Sequence, residues 1–230
     1  MSRILFITLS LYPAQSGGPS NTLYWLGKAL HKKGFDLKII TTSRGINKSQ
    51  VKFNNWLNTN YGQVKYINYK PYSYHPKILW EVFKAVRTVD IVQLASFFYF
   101  PGYITAFWAV FLRKKVIWSV RGEFFDSALS KSKLKHFLIN CVKYAIRNRI
   151  LFHSTSKQET SILRRVMGSG IQITESPNFI EIPHHAVSLE FERRENYFLF
   201  IGRINKIKAI DHLLYALANS KEFLNSEIKL

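Results

Sequence analysis

The sequence predicts a doubly wound α/β fold built on a parallel sheet. Three observations predict it. Short apolar runs alternate with helical patterns from Arg3 to Thr174, which is how successive βαβ units read. Glycine-rich and polar loops fall just after the strands, where an open parallel sheet holds its ligands. The single cysteine, Cys141, excludes a disulfide framework or a cysteine metal cluster.

Each element has its own signal. Arg3 to Leu9 is an apolar strand without the small-residue cleavage site of a signal peptide. Leu11 to Pro19 is a turn-rich loop containing Gly17-Gly18-Pro19. Ser20 or Asn21 is placed to cap the next helix, whose inner face is Leu23, Leu26 and Leu30. Gly34 stops that helix, and Leu37 to Thr42 is the second strand. The loop is not GxGxxG, so the dinucleotide fingerprint is absent.

Ser43 to Tyr74 is polar and aromatic, with one short strand pattern at Val64 to Ile67. Trp56, Tyr61, Tyr66, Tyr69, Tyr72 and Tyr74 sit among Lys52, Lys65 and Lys70, a mixture that can stack nucleic-acid bases. The favoured alternative is a surface excursion whose rings pack back on the sheet. Pro76 to Val89 is a helix with Leu79, Val82, Phe83 and Val86 inward, and Asp90 to Leu94 is a strand.

Ile91 to Leu112 contains no charged residue and is long enough to span a bilayer. Pro101-Gly102 interrupts it, so a buried strand, a turn and a buried helix over 102–112 explain it better. Lys115 to Val120 is the next strand, followed by Arg121-Gly122-Glu123.

Lys131 to Arg149 reads as one basic amphipathic helix. It suits an anionic leaflet or an ordinary surface position with its apolar side on the sheet. Ile150 to His153 is a strand. Ser154-Thr155-Ser156 caps a helix over 157–166, Gly168 and Gly170 end it, and Ile171 to Thr174 is the last strand of this domain.

Composition bounds the partners. Of 230 residues, 47% are hydrophobic and 15% aromatic, as expected of a globular chain. Net charge is +19, from 33 Lys and Arg against 14 Asp and Glu, which asks for an anionic partner: nucleic acid, a phosphorylated ligand or an acidic membrane.

The most informative stretch is Phe198 to Asp211, FLFIGRINKIKAID. An apolar run over 197–201 reads as a buried strand. Gly202 turns the chain, Arg203, Lys206 and Lys208 follow, and Ile210, Leu213, Leu214 and Leu217 form one helix face. Cations before a helix N-terminus make a seat for a diphosphate.

Gly202-Arg203-Ile204, Lys208, Ile210-Asp211 and Leu213-Leu214 resemble the signature of retaining GT-B glycosyltransferases, family 4. Ser119-Val120-Arg121-Gly122-Glu123 is similar to an "S-x-R-G-E/M" segment of one branch, with Val120 in place of the usual Pro. Ser176-Pro177-Asn178-Phe179-Ile180 matches the interdomain segment, with Phe179 in place of Gly. Ala209 also replaces a usual Gly.

The resemblance implies a Rossmann-like N-terminal domain of a GT-B fold over 1–176, a linker over 177–195, and the opening strand and helix of a donor-binding domain over 196–230. The paired glutamates that hold the donor in the family are not among these residues, so it implies little or no catalysis by this chain alone. For the family, it implies sugar transfer from a nucleotide-sugar to a lipid-linked or polysaccharide acceptor in cell-envelope glycan synthesis, with retention. A non-catalytic module holding an acceptor or partner chain is the alternative.

Arg203 and Lys208 would hold the donor diphosphate, with Gly17 and Gly18 also on the donor side. Arg121 would support a phosphate or polarise the acceptor, and Glu123 would orient a sugar hydroxyl. Ser20 and Asn21 would lie on the acceptor side. No cofactor and no metal is implied, and no specific nucleic acid. The location implied is cytoplasmic, peripheral on the inner membrane face.

Overall fold

The computed structural model describes residues 2–14, 17–47, 49–68, 76–129, 132–181, 197–202, 204 and 208–228. It comprises two compact units, Met1–Ile180 and Glu181–Leu230.

The first unit is an eight-stranded sheet. Its strands are β1 (Arg3–Ile7), β2 (Asp36–Thr42), β3 (Trp56–Thr59), β4 (Gly62–Ile67), β5 (Ile91–Leu94), β6 (Lys115–Ser119), β7 (Ile150–Ser154) and β8 (Gln172–Glu175). The order across the sheet is β3-β4-β2-β1-β5-β6-β7-β8, and every pairing is parallel except β3 with β4. The helices are α1 (Gly18–Lys32), α2 (Pro76–Arg87), α3 (Phe100–Phe111), α4 (Asp126–Leu129), α5 (Lys133–Ala145) and α6 (Lys157–Met167), with a 3₁₀ turn at Arg147–Arg149. The chain winds outward from β1 in both directions. Strand order therefore reverses between β1 and β5, which opens a crevice at the C-terminal strand ends.

Alternation along each strand divides the core. Leu5, Ile7, Val92, Trp118 and Phe152 face the layer of α2, α3, α5 and α6. Ile4, Phe6, Leu37, Ile39 and Val64 face the other way, with Leu23 of α1 in their cluster. Trp118 is fully buried, stacks on Phe97 at 4.6 Å and donates its indole N–H to the Ser96 carbonyl at 3.0 Å.

Several expectations are corrected. The helix after the glycine pair starts at Gly18, so neither Ser20 nor Asn21 caps it. Gly17 takes that position with φ 96, and Ser20 turns inward in the first turn. On α2 it is Ile78, Val82, Ala85 and Val86 that are buried, so Leu79 and Phe83 lie one step round the helix from the core centre. The basic stretch is not one helix: α5 covers Lys133–Ala145, and the 3₁₀ turn at Arg147–Arg149 follows it.

Strand β3 carries no apolar run, but pairs antiparallel with β4. Its alternate residues are exposed, which is why composition hid it. The hairpin needs Gly62, whose φ is 113. A Cβ there would sit 2.7 Å from the Leu37 carbonyl oxygen.

Tyr61 and Tyr66 are buried, so these two rings of the aromatic stretch pack inward, whereas Trp56 stays partly exposed. Tyr69, Lys70, Tyr72 and Tyr74 lie outside the described residues. No helix among the described residues is long and apolar enough to cross a membrane, and the uncharged segment divides into β5 and α3.

In the second unit, α7 (Ile210–Ala218) and α8 (Lys221–Leu224) follow the basic loop. The apolar run before the loop does not form a strand: Tyr197 makes an isolated bridge, and 198–201 are irregular. A strand needs a neighbour for its ladder, and the described residues of this unit offer none.

Candidate active site

The C-terminal ends of β5, β6 and β7 bring together Gln93, Ser119, Arg121 and His153. With Ser176, Asn178 and Phe179 from the segment after β8, and Thr22 and Leu26 of α1, they line a cleft of about 230 Å³. Apart from Thr22 of α1, each of these polar side chains lies in a strand or follows its end.

Arg121 is the cation of this cleft. It follows β6 in a left-handed conformation, φ 47, with Gly122 at φ 79. Its Nε is buried without a hydrogen-bond partner, and its Nη1 reaches Asn178 Oδ1 only at 3.5 Å. Burial holds its pKa below the usual guanidinium range, and Glu159 opposes that shift. Glu159 itself is fully engaged. It accepts from the Gly122 N–H at 2.5 Å, the Thr155 N–H at 2.6 Å and the Thr155 hydroxyl at 2.9 Å. Ser156 caps α6 by accepting from the Glu159 N–H at 3.3 Å, while the Glu159 carboxylate reaches back past the cap to Thr155. The carboxylate thus ties the β6 loop to the β7 loop, while Arg121 keeps most of its donors for another acceptor.

Beside Arg121 runs a directed chain of hydrogen bonds. His153 Nε2 lies 3.0 Å from the Ser176 carbonyl, which only accepts, so Nε2 carries the proton. Nδ1 therefore accepts from the Ser119 hydroxyl at 3.0 Å, and Ser119 Oγ accepts from the Gln93 amide at 2.9 Å. Burial lowers the His153 pKa, the hydrogen bond to Ser176 and the charge of Glu159 raise it, and Arg121 adds to the lowering. The imidazole is thus kept neutral, and it fastens the 176–179 segment to the sheet.

Glu123 turns away from this chain. Its carboxylate accepts from the Ser96 hydroxyl at 2.6 Å, from the Phe97 N–H and from the Phe98 N–H at 3.4 Å. Burial pushes its pKa up, against those hydrogen bonds and the charge of Lys135. The structure brings it together with the β5–α3 loop rather than with the lining of the Arg121 cleft.

The β1–α1 loop is braced from below. Thr8 donates to the Ser10 carbonyl at 3.1 Å, Thr42 donates to the Leu9 carbonyl, and the Ser10 and Ser20 hydroxyls share a 2.7 Å hydrogen bond. Tyr66 donates to the Tyr12 carbonyl at 2.5 Å, and the Tyr24 ring packs on Tyr12 and Tyr61 at 4.8 and 4.9 Å. The helix start is thereby fixed with Gly18 exposed and open space where a Cβ would stand. Asn21 is exposed, with its N–H on the Gly17 carbonyl at 3.4 Å. The first turn of α1 has no acidic residue, so its free N–H groups remain suited to an anion.

In the second unit, Lys208 is exposed next to the start of α7, and Ala209 precedes that helix in a left-handed conformation, φ 48. Arg203 lies outside the described residues. No group of three or more metal-ligating side chains occurs among the described residues.

Sequence reading missed Gln93, Ser119, His153 and Glu159 as members of this site. Their signal was present: a polar residue toward the C-terminal end of each of IVQL, KVIWS and ILFHS, and the Ser-x-x-Glu spacing at the start of α6.

No family model matches the chain, and no curated sequence matches it significantly. Solved structures do. Sucrose-phosphate synthase from Thermosynechococcus elongatus aligns over 96% of this chain and 60% of its own, with 16% identity and a TM-score of 0.65. HepE from Anabaena, in complex with UDP and glucose, aligns over 79% of this chain and 45% of its own, with 13% identity and a TM-score of 0.56. The same protein in complex with UDP-glucose gives a TM-score of 0.54. This chain spans less than two thirds of either relative. The likeness is one of fold: the chain has the Rossmann-like, mostly parallel α/β architecture of GT-B glycosyltransferases.

Proposed function

We propose that the chain is part of a retaining glycosyltransferase of family 4 type that takes a nucleotide-sugar donor. The observation that carries this reading is Arg121, a partly buried cation whose buried Nε is unpaired, at the C-terminal edge of the sheet and lining a cleft. A guanidinium left this way is costly unless an anion meets it. The GT-B architecture and the UDP held by HepE favour a nucleoside diphosphate, uridine diphosphate first, as that anion.

In this reading Arg203 and Lys208 of the basic loop hold the departing diphosphate. The chemistry is electrostatic: cations fixed in place stabilise the charge that develops as the glycosidic bond breaks, and no metal is needed. Arg121 acts on a phosphate or on the acceptor. The acceptor is a lipid-linked glycan or polysaccharide of the cell envelope, and the protein works at the cytoplasmic membrane's inner face.

Calorimetric titration with UDP at moderate salt tests the reading. Wild type should bind, Arg203→Ala/Lys208→Ala should lose binding, and inorganic phosphate should bind far more weakly. Equal heats for the wild type and the double variant would remove the basic loop from the donor site.

A further inference from the structure

The outer surface of α2, α3 and α5 is apolar where a monomer's surface is ordinarily mixed. Helix α3, FPGYITAFWAVF, has no charged residue along its length. Tyr103, Ala106 and Ala109 use its inner side, yet Ile104 and Phe111 remain 40% and 75% exposed. Toward α2 an aromatic ladder continues this surface. Trp80 stacks on Phe83 at 6.1 Å, Phe83 on Trp108 at 4.1 Å and Trp108 on Phe111 at 5.6 Å. Toward α5 the surface dips into an open groove of about 770 Å³ between the two helices. Phe137 and Tyr144 on its rim are 62% and 80% exposed. The fold does not need these two rings, because α5 is already anchored by Ile139 and Val142.

Positive charge frames the rings. Lys84 Nζ stands 4.9 Å over Trp80, and the Arg87 guanidinium 4.1 Å over Phe83. Helix α5 carries Lys133, Lys135 and Lys143 and no acidic residue. The one acid of α2, Glu81, is taken by Lys65 at 2.7 Å. A second copy would set these cations against themselves, in a chain already at +19. Nucleic acid would meet the cations and leave the apolar groove unfilled. An anionic bilayer answers both features, since aromatic rings settle at headgroup depth and lysines and arginines meet lipid phosphates.

We propose that the α2–α3–α5 face docks in the plane of an anionic lipid bilayer. Phe111, Phe137 and Tyr144 enter the headgroup boundary, while Lys84, Arg87 and Lys133 contact lipid phosphates. This rests on the membrane location in the functional reading, and not on sugar transfer.

Sedimentation with vesicles tests it, using phosphatidylglycerol–phosphatidylcholine against phosphatidylcholine alone. The variant is Phe111→Ser/Phe137→Ser/Tyr144→Ser, checked for folding by circular dichroism. Wild type should bind the anionic vesicles and keep part of that binding at about 1 M salt, where the Debye length is about 3 Å. The variant should bind at least roughly tenfold more weakly, the scale of losing one buried ring. Equal binding by both proteins, binding wholly lost at high salt, or no binding would each overturn the proposal. So would a lipid-free dimer abolished by the same substitutions, which would make a second copy the occupant. Capture of poly-glutamate in preference to vesicles, lost in the variant, would likewise replace the bilayer with an acidic polypeptide. UDP titration of the same variant separates the two claims, because it should match wild type whichever way the vesicle result falls.

Discussion

At the residue scale, the fold depends on a few polar groups held away from water. Lys65 on β4 and Glu81 on α2 form an ion pair at 2.7 Å with side chains only 11% and 17% exposed. Breaking such a pair leaves one charge buried and uncompensated. Glu81→Ala should therefore lower stability by about 3 kcal/mol in urea unfolding, and adding Lys65→Met should recover much of the loss. A loss below ~1 kcal/mol would mean that water already screens the pair. His153 makes a prediction of opposite character. An unfolded imidazole takes a proton as the pH falls through about 6.5, while half-buried His153 does so only at lower pH. Between those values the unfolded chain binds more protons, so stability rises with pH, is complete above about 6.5 and drains below it. His153→Gln should flatten that slope in urea midpoints measured across the window, and an unchanged slope would assign it to other groups.

These residues also show how far the site could be read in the sequence. Arg121 was legible because it follows a strand inside a recognisable segment. Gln93, Ser119 and His153 were not, since each lies in a different short strand and their meeting depends on the β5-β6-β7 order. Glu123 has a motif-like position, yet its hydrogen bonds belong to the β5–α3 loop, a contact far away in sequence.

At the element scale, α6 starts and ends where serine and glycine chemistry places it, between Ser156 and Gly168, whereas the starts of α1 and α7 were less legible. Helix α1 begins after Gly17 because a positive φ turns the chain there, not because a hydroxyl caps it. Helix α7 begins after Ala209, also at positive φ, where a side chain is strained by roughly 1 kcal/mol. Ala209→Gly should relieve part of that, stabilising the helix start by about 0.5 kcal/mol after glycine's own entropy cost. Hydrogen exchange across 210–218 should slow in the variant, and faster exchange would mean that the strain is not borne there. The strands divide in the same way. Those buried on both faces were read from their apolar runs, whereas β3 was invisible because its ladder comes from β4 and not from its own composition.

At the scale of the molecule, alternating strands and helices were enough to reach the architecture, since a right-handed βαβ series leaves few other ways to cover a parallel sheet. The run at 197–201 shows the limit of such reading: an apolar pattern names a strand only where a neighbour supplies its ladder. Charge organises the rest. On the readings proposed above, Arg121 in the first unit and Lys208 in the second each await a phosphate, and the cations of α2 and α5 await a bilayer. The most direct test of the first is hydrogen exchange by mass spectrometry with and without UDP-glucose. The account predicts slowed exchange over 17–21, 119–123 and 208–214, with the 119–123 protection lost in Arg121→Ala. Protection confined to other segments, or the same protection in that variant, would contradict it.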